Sequence, residues 1–201
     1  MLIIGLCGGS GSGKGTVSAF FAKKGIPSID TDLVYRDLTS SRTQLVMDLA
    51  SEFGNDIISK SGSLDRKALA GKVFSDKSGL LLSRLNKITH TSILDETEKR
   101  ISLFEKQSFN AVIVDAPLLF ESKFDEKCDL IIAVIADKDS RIERIVQRDG
   151  IDKNAAIRRI DSQISDEVLK QRVDYVIENN GNLLETEQAV NELYKKIFER
   201  G

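Results

Sequence analysis

The residues with the clearest chemistry lie between positions 8 and 16, where the chain reads Gly8-Gly9-Ser10-Gly11-Ser12-Gly13-Lys14-Gly15-Thr16. The spacing is G-x-x-x-x-G-K. Glycines allow successive backbone N–H groups to turn inward around an anion. The run follows an apolar stretch, Leu2-Ile3-Ile4-Gly5-Leu6-Cys7, and precedes a helical pattern that starts near Lys14. A helix N-terminus there adds its partial positive charge to the same anion. Lys14 can bridge the β- and γ-phosphates of a nucleoside triphosphate, so Gly11, Ser12, Gly13, Lys14, Gly15 and Thr16 are predicted to hold ATP. A glycine-rich turn without a ligand is the alternative, but it gives no reason for lysine, strand and helix to fall in register.

Carboxylates form the second set. Asp30 and Asp32 follow a short apolar segment at Ser28-Ile29. If that strand extends through Thr31, alternation places both carboxylates on one side. A kinase that phosphorylates a hydroxyl gains from a carboxylate that orients it and takes its proton, and Asp32 is the candidate. Capping of the next helix is the competing role, more so for Asp30. Asp115 ends the apolar run Ala111-Val112-Ile113-Val114 in the manner of a Walker B carboxylate. Thr16 and Asp115 are the candidate Mg²⁺ ligands. Gly15 stands where such loops commonly carry Ser or Thr, so Mg²⁺ is expected to be held chiefly through waters and the nucleotide.

Arginine is unevenly placed. Six of the twelve arginines fall between residues 141 and 172, beside only two lysines, while elsewhere lysine leads fifteen to six. The planar fork of arginine grips phosphate oxygens bidentately, so the bias suggests phosphate recognition. Arg141, Arg144 and Arg148 share one helix face by their spacing. Arg144 is expected to act on the transferring phosphoryl group and Arg148 to bind nucleotide. A solvated charged face is the alternative, given Glu143 and Asp149.

These residues need a scaffold. Strand-like runs at 2–7, 28–32, 111–115, 130–135 and 175–177 alternate with helical patterns, which implies an α/β fold with a parallel sheet and ligands at its carboxyl edge. Gly25 and Pro27 are placed to end the first helix near Lys24. From Leu33 to Phe109 the apolar residues recur at helical spacing. The expected organisation is a P-loop core of residues 1–32, 110–139 and 173–201, a helical acceptor domain at 33–109, and a lid at 140–172. The chain has 201 residues, 41% hydrophobic and 30% charged, with a formal net charge of -2, which is not the basic excess of a nucleic-acid binder. Cys7 and Cys128 are far apart in sequence and fit a reducing cytosol. The Leu2–Leu6 run is too short for a signal segment and no apolar stretch approaches the ~20 residues of a membrane span. The protein is expected in the cytoplasm, without membrane or nucleic-acid partners.

Several segments together resemble one family. Ile29-Asp30-Thr31-Asp32 resembles the D-A-D segment of dephospho-coenzyme A kinases, and Gly62-Ser63-Leu64-Asp65-Arg66 their G-x-L-D-R. Asp115-Ala116-Pro117-Leu118-Leu119-Phe120-Glu121 is similar to D-x-P-L-L-F-E. Asp174-Tyr175-Val176-Ile177, with Asn179 and Gly181, is similar to A-D-x-V-I-x-N-x-G. The matches run in order along nearly the whole chain. The family usually carries His-Pro where this chain has His90-Thr91, and Ala in place of Val173. The GKGT run also resembles adenylate kinase-like nucleotide kinases.

The resemblance implies a P-loop kinase with helical insertion and lid, transferring the ATP γ-phosphate to the ribose 3′-hydroxyl of dephospho-coenzyme A, the last step of coenzyme A biosynthesis. It implies ATP and Mg²⁺ as cofactors, Asp32 as base, Lys14 and Arg144 at the transferring phosphate, and Asp32, Arg66, His90, Asp115, Pro117 and Leu118 near the acceptor. Another small-molecule kinase is the nearest rival. A GTPase switch lacks its N-K-x-D, since Asn86-Lys87-Ile88 is followed by Thr89. A nucleic-acid motor is disfavoured by size and charge.

Overall fold

The computed structural model describes residues 1–199, and these divide into two compact units. One comprises Met1–Ser28 with the chain from Phe104 onward, and the other Ile29–Leu103. The lid expected at 140–172 groups with the sheet-bearing unit.

The first unit begins with β1 (Leu2–Cys7), the glycine loop and α1 (Lys14–Lys23). Lys24 and Gly25 donate to the carbonyls of Phe21 and Ala22, and Gly25 has φ 80°, the left-handed stop. Then comes β2 (Ser28–Asp30), whose last residues lie in the second unit.

The second unit is helical: α2 (Thr31–Thr39), α3 (Gln44–Phe53), a 3₁₀ turn (Asn55–Ile57), α4 (Arg66–Ser75) and most of α5 (Leu80–Lys106). Its core is Leu45, Val46, Leu49, Phe53, Ile57, Leu64, Leu69 and Val73. One isolated antiparallel bridge, Ile58 to Leu64, closes the loop before α4.

Back in the first unit are β3 (Ala111–Asp115), a 3₁₀ turn (Phe124–Lys127), β4 (Leu130–Ile135), α6 (Lys138–Asp149), α7 (Lys153–Asp161), α8 (Asp166–Lys170), β5 (Tyr175–Glu178) and α9 (Leu183–Phe198). The five-stranded sheet has the order β2-β3-β1-β4-β5, and the β1–β3, β1–β4 and β4–β5 pairings are parallel. One face is packed by α1 and α9: Val17, Phe20, Phe21, Val190 and Leu193 meet Ile4, Leu6, Ile113, Ile132, Val134 and Ile177. Burying each such side chain contributes about 1.5–3 kcal/mol, so strands covered on both faces read as unbroken apolar runs. On the opposite face a Cβ at Gly5 would stand 2.9 Å from Cys128 Sγ, so the backbone there packs directly under the cysteine. Helices α6 and α7 share a small core of Ile142, Ile145, Ala156 and Ile160.

Candidate active site

In the first unit the glycine loop leaves the carboxyl end of β1 and enters α1. Gly8, Gly11 and Gly13 have φ of 144°, 78° and 98°, conformations that a Cβ resists. Close approach adds to this: a Cβ at Gly8 would overlap the Val134 carbonyl oxygen, and one at Gly11 would lie 2.6 Å from the Arg141 carbonyl oxygen. Lys14 Nζ folds back to donate to Gly8 O at 3.0 Å. The N-terminus of α1 has no side-chain cap and no acidic residue in its first turn. Its first N–H groups are therefore not satisfied by a neighbouring carboxylate, as an anion site requires. Ser12 is buried within the loop and its Oγ has no hydrogen-bond partner. Glycine conformation, lysine and uncapped helix together fit a nucleoside triphosphate.

Asp115 pairs in register with Leu6, one residue before Cys7, so the ends of β1 and β3 bring it beside the loop. Among the described residues no group of three or more His, Cys, Asp or Glu converges to hold a metal. Mg²⁺ commonly enters such sites with the substrate phosphates and one or two protein oxygens, and the single carboxylate of Asp115 at the strand end is compatible with so sparse a donor set; Thr16 is half-buried in the first turn of α1. Past Asp115, Pro117 and Leu118 are exposed at the start of the turn that leads to Phe120. Arg172 stacks on the Phe120 ring at 3.7 Å and pairs with Asp125 at 3.8 Å, which anchors that turn.

Two of the three arginines of α6 lie against the loop. Arg144 directs Nη1 to Gly11 O at 3.2 Å and Nη2 to Asn179 O at 2.9 Å, so both terminal nitrogens lie on backbone carbonyls. Arg141, only 5% exposed, donates from Nε to Ser10 O at 3.0 Å and from Nη2 to Gln163 Oε1 at 3.1 Å, and pairs with Asp166 at 3.4 Å. At Arg141 and Arg144 this helix face is packed on the loop rather than solvated, because unpaired loop carbonyls are strong acceptors for a buried guanidinium. Gln163 Oε1 also accepts from the Ser10 N–H at 2.9 Å. Arg148 is exposed and bonded to Asp149, with a long 3.5 Å contact to Ser10 Oγ. Arg148 and Arg159 together hold the Asp149 carboxyl well below the usual range.

In the second unit Asp30-Thr31-Asp32 is not the extended segment that strand alternation predicts: the strand ends at Asp30 and the helix starts at Thr31. Asp30 ends β2 and caps α2, its Oδ1 accepting from the Asp32 and Leu33 N–H groups at 2.8 and 3.1 Å. That local bond turns the chain helical at once, so Asp32 sits exposed in the first turn of α2 rather than on a strand. Asp65 caps α4 in the same way, which puts Arg66 at its first position. Arg66 donates to Thr39 Oγ1 at 3.1 Å and lies over the Tyr35 ring at 5.1 Å. Asp32 and Tyr35 are one turn apart on α2, so Arg66 packs on the face that carries Asp32. His90 is half-buried on α5.

A parallel sheet with a lysine-bearing loop ahead of a carboxylate-capped helical unit is common to many kinases; relatives narrow it. The family model described as dephospho-CoA kinase matches residues 2–185. The chain belongs to the dephospho-CoA kinase family. Among relatives of that name, one from Corynebacterium glutamicum is 38% identical over 100% of this chain and 99% of its own length. One from Fusobacterium nucleatum is 40% identical over 98% and 95%. The solved dephospho-CoA kinase of Campylobacter jejuni superposes with TM-score 0.71 at 25% identity, covering 98% of this chain and 97% of that one. Dephospho-CoA kinase membership accounts for the ordered motifs. The bracing of the loop by Arg141, Arg144 and Gln163 had one partial signal in sequence, the shared face of Arg141 with Arg144, and none for Gln163.

Proposed function

We propose that this chain transfers the γ-phosphoryl group of ATP to the ribose 3′-hydroxyl of dephospho-coenzyme A. The observation that carries the proposal is an uncapped, lysine-bearing glycine loop in a chain 38–40% identical, end to end, to relatives named for that reaction. The loop N–H groups and the start of α1 receive the phosphates, and Lys14 neutralises charge that spreads over the γ-phosphoryl oxygens as it moves. Asp32 orients the 3′-hydroxyl and accepts its proton. The ribose oxygen bonds to phosphorus as the bond to the bridging oxygen breaks, and ADP departs with that electron pair. Mg²⁺, held by the nucleotide with Thr16 and Asp115, would offset negative charge on the phosphates. Arg66 serves the acceptor side, with His90, Pro117 and Leu118. Arg144 supports the loop backbone, and Arg148 stands at its rim.

The helical unit Ile29–Leu103 offers the surface that an acceptor with a long pantetheine arm requires. Binding energy from that arm is used to position the hydroxyl, so truncated acceptors lose kcat/KM steeply. A reducing cytoplasm suits the two free cysteines. No helix among the described residues is long and apolar enough to cross a membrane. The test is kcat/KM for dephospho-coenzyme A, AMP, adenosine and uridine under identical Mg²⁺–ATP. Dephospho-coenzyme A should lead by a wide margin; a nucleoside that equals it overturns the assignment.

A further inference from the structure

We propose that Thr186 and Asn179 are positioning residues for nucleotide binding: Thr186 locks the side-chain amide of Asn179, and Asn179 holds the glycine loop in its phosphate-binding conformation. The inference rests on the loop being the ATP site, not on which acceptor is phosphorylated.

Three consecutive carbonyls of the loop are each taken by a side chain from a distant element. Arg141 takes Ser10 O, Arg144 takes Gly11 O, and Asn179 Nδ2 takes Ser12 O at 2.8 Å. A trans peptide is planar, with C=O and the following N–H pointing in opposite directions. Fixing Ser12 O on Asn179 therefore fixes the Gly13 N–H on the other side, immediately before Lys14. The arginines do the same for the preceding peptides through longer side chains, whereas Asn179 is short, 7% exposed and bonded at both ends of its side-chain amide. Its backbone N–H donates to Ile135 O at 2.8 Å, and its carbonyl accepts from Arg144 at 2.9 Å.

The side-chain amide has a donor end and an acceptor end, and only one orientation satisfies both neighbours. Ser12 O can only accept, so the nitrogen must face it. The oxygen then faces Thr186, whose hydroxyl must donate, at 2.7 Å. That hydroxyl also lies 3.1 Å from Asn182 O, the carbonyl one turn back, but it has a single hydrogen, and the shorter 2.7 Å contact to Asn179 Oδ1 is the better acceptor for it. Thr186 is 2% exposed, so water does not compete. The first turn of α9 thus sets the orientation of a loop amide through one intermediate side chain.

The experiment uses the full chain with Thr186→Val, which keeps shape and removes the donor, Thr186→Ser, which keeps the donor, and Asn179→Asp, which faces Ser12 O with an acceptor. Kd for ATP and for dephospho-coenzyme A, KM for ATP, kcat and Tm are measured for each. Thr186→Val should weaken ATP about three- to tenfold, the range of one lost hydrogen bond, with KM for ATP rising in parallel. Its kcat at saturation and its dephospho-coenzyme A Kd should stay within about twofold, given that the chemistry is untouched. Thr186→Ser should retain ATP affinity, and Asn179→Asp should lose more than Thr186→Val. If Thr186→Val proves too unstable to purify, the ATP affinities of the other two variants decide alone. A lower Tm with unchanged ATP affinity in Thr186→Val and Asn179→Asp overturns the proposal and leaves the pair purely structural. A wild type that binds ATP yet ignores dephospho-coenzyme A would sink the assigned activity while leaving this test intact.

Discussion

Gly13→Ala tests the loop geometry with the fewest assumptions. Gly13 holds φ 98° and ψ 23°, and a Cβ there would overlap Asn179 Nδ2. The left-handed conformation costs a residue with a Cβ about 1–2 kcal/mol. Asn179 cannot simply swing aside, because its amide bonds Ser12 O at 2.8 Å and Thr186 Oγ1 at 2.7 Å. Losing those two bonds adds about 1 kcal/mol each, more where a buried group is left unpaired. The sum is about 3–5 kcal/mol, which for a chain of this length lowers Tm by roughly 6–20 °C. Gly15→Ala is the matched control: nothing lies within 4 Å of its Cβ, and its φ is not positive. Alanine is there expected to be neutral or to stabilise by up to about 1 kcal/mol. Thermal unfolding with and without ATP reads both effects, since ligand that binds only the folded state raises Tm. Gly13→Ala should lose most of its ATP-dependent rise and Gly15→Ala should keep it. An undiminished ATP shift and a normal Tm in Gly13→Ala would refute the reasoning.

Lys14→Met should abolish transfer while Tm stays near wild type, because the ammonium's hydrogen bond to Gly8 O is a small part of what holds the fold; near-normal turnover would contradict its assigned role. Asp32→Asn should lower kcat by roughly 10²–10⁴-fold with ATP affinity little changed. Asp30→Ala should instead cost about 1 kcal/mol of stability through the missing helix cap, and a larger kcat loss there than at Asp32 would reverse the two roles. Burial pushes the Cys7 thiol up to about 12 from 9.0, and Cys128 likewise. Between these values the unfolded chain gives up protons that the folded protein keeps, so stability should be full below pH 9 and fall as pH rises towards 12. Slow alkylation of both thiols at about pH 8 in the native protein, and rapid alkylation in denaturant, would accord with this; a fast native reaction would not.

Much of the nucleotide half was legible along the chain because its determinants are contiguous. The loop is written in adjacent glycines and a lysine, the stop of α1 in Gly25 and Pro27, and the buried strands β1, β3 and β4 in unbroken apolar runs. Each is a local matter of backbone freedom or two-sided burial, which residue type reports directly. Asp30 and Asp32 misled because strand alternation and helix capping compete over the same residues; a carboxylate that reaches two N–H groups ahead wins within one turn. The braces of the loop were out of reach for another reason. Arg141, Arg144 and Asn179 meet carbonyls 131, 133 and 167 positions away. Every residue carries a carbonyl, so no pattern of side chains says which one a distant arginine or asparagine will find. Spacing alone set the arginines on one helix face. Only the packing of α6, β5 and α9 around the loop turned that face inward, made two of its members supports for the backbone, and left Arg148 in solvent.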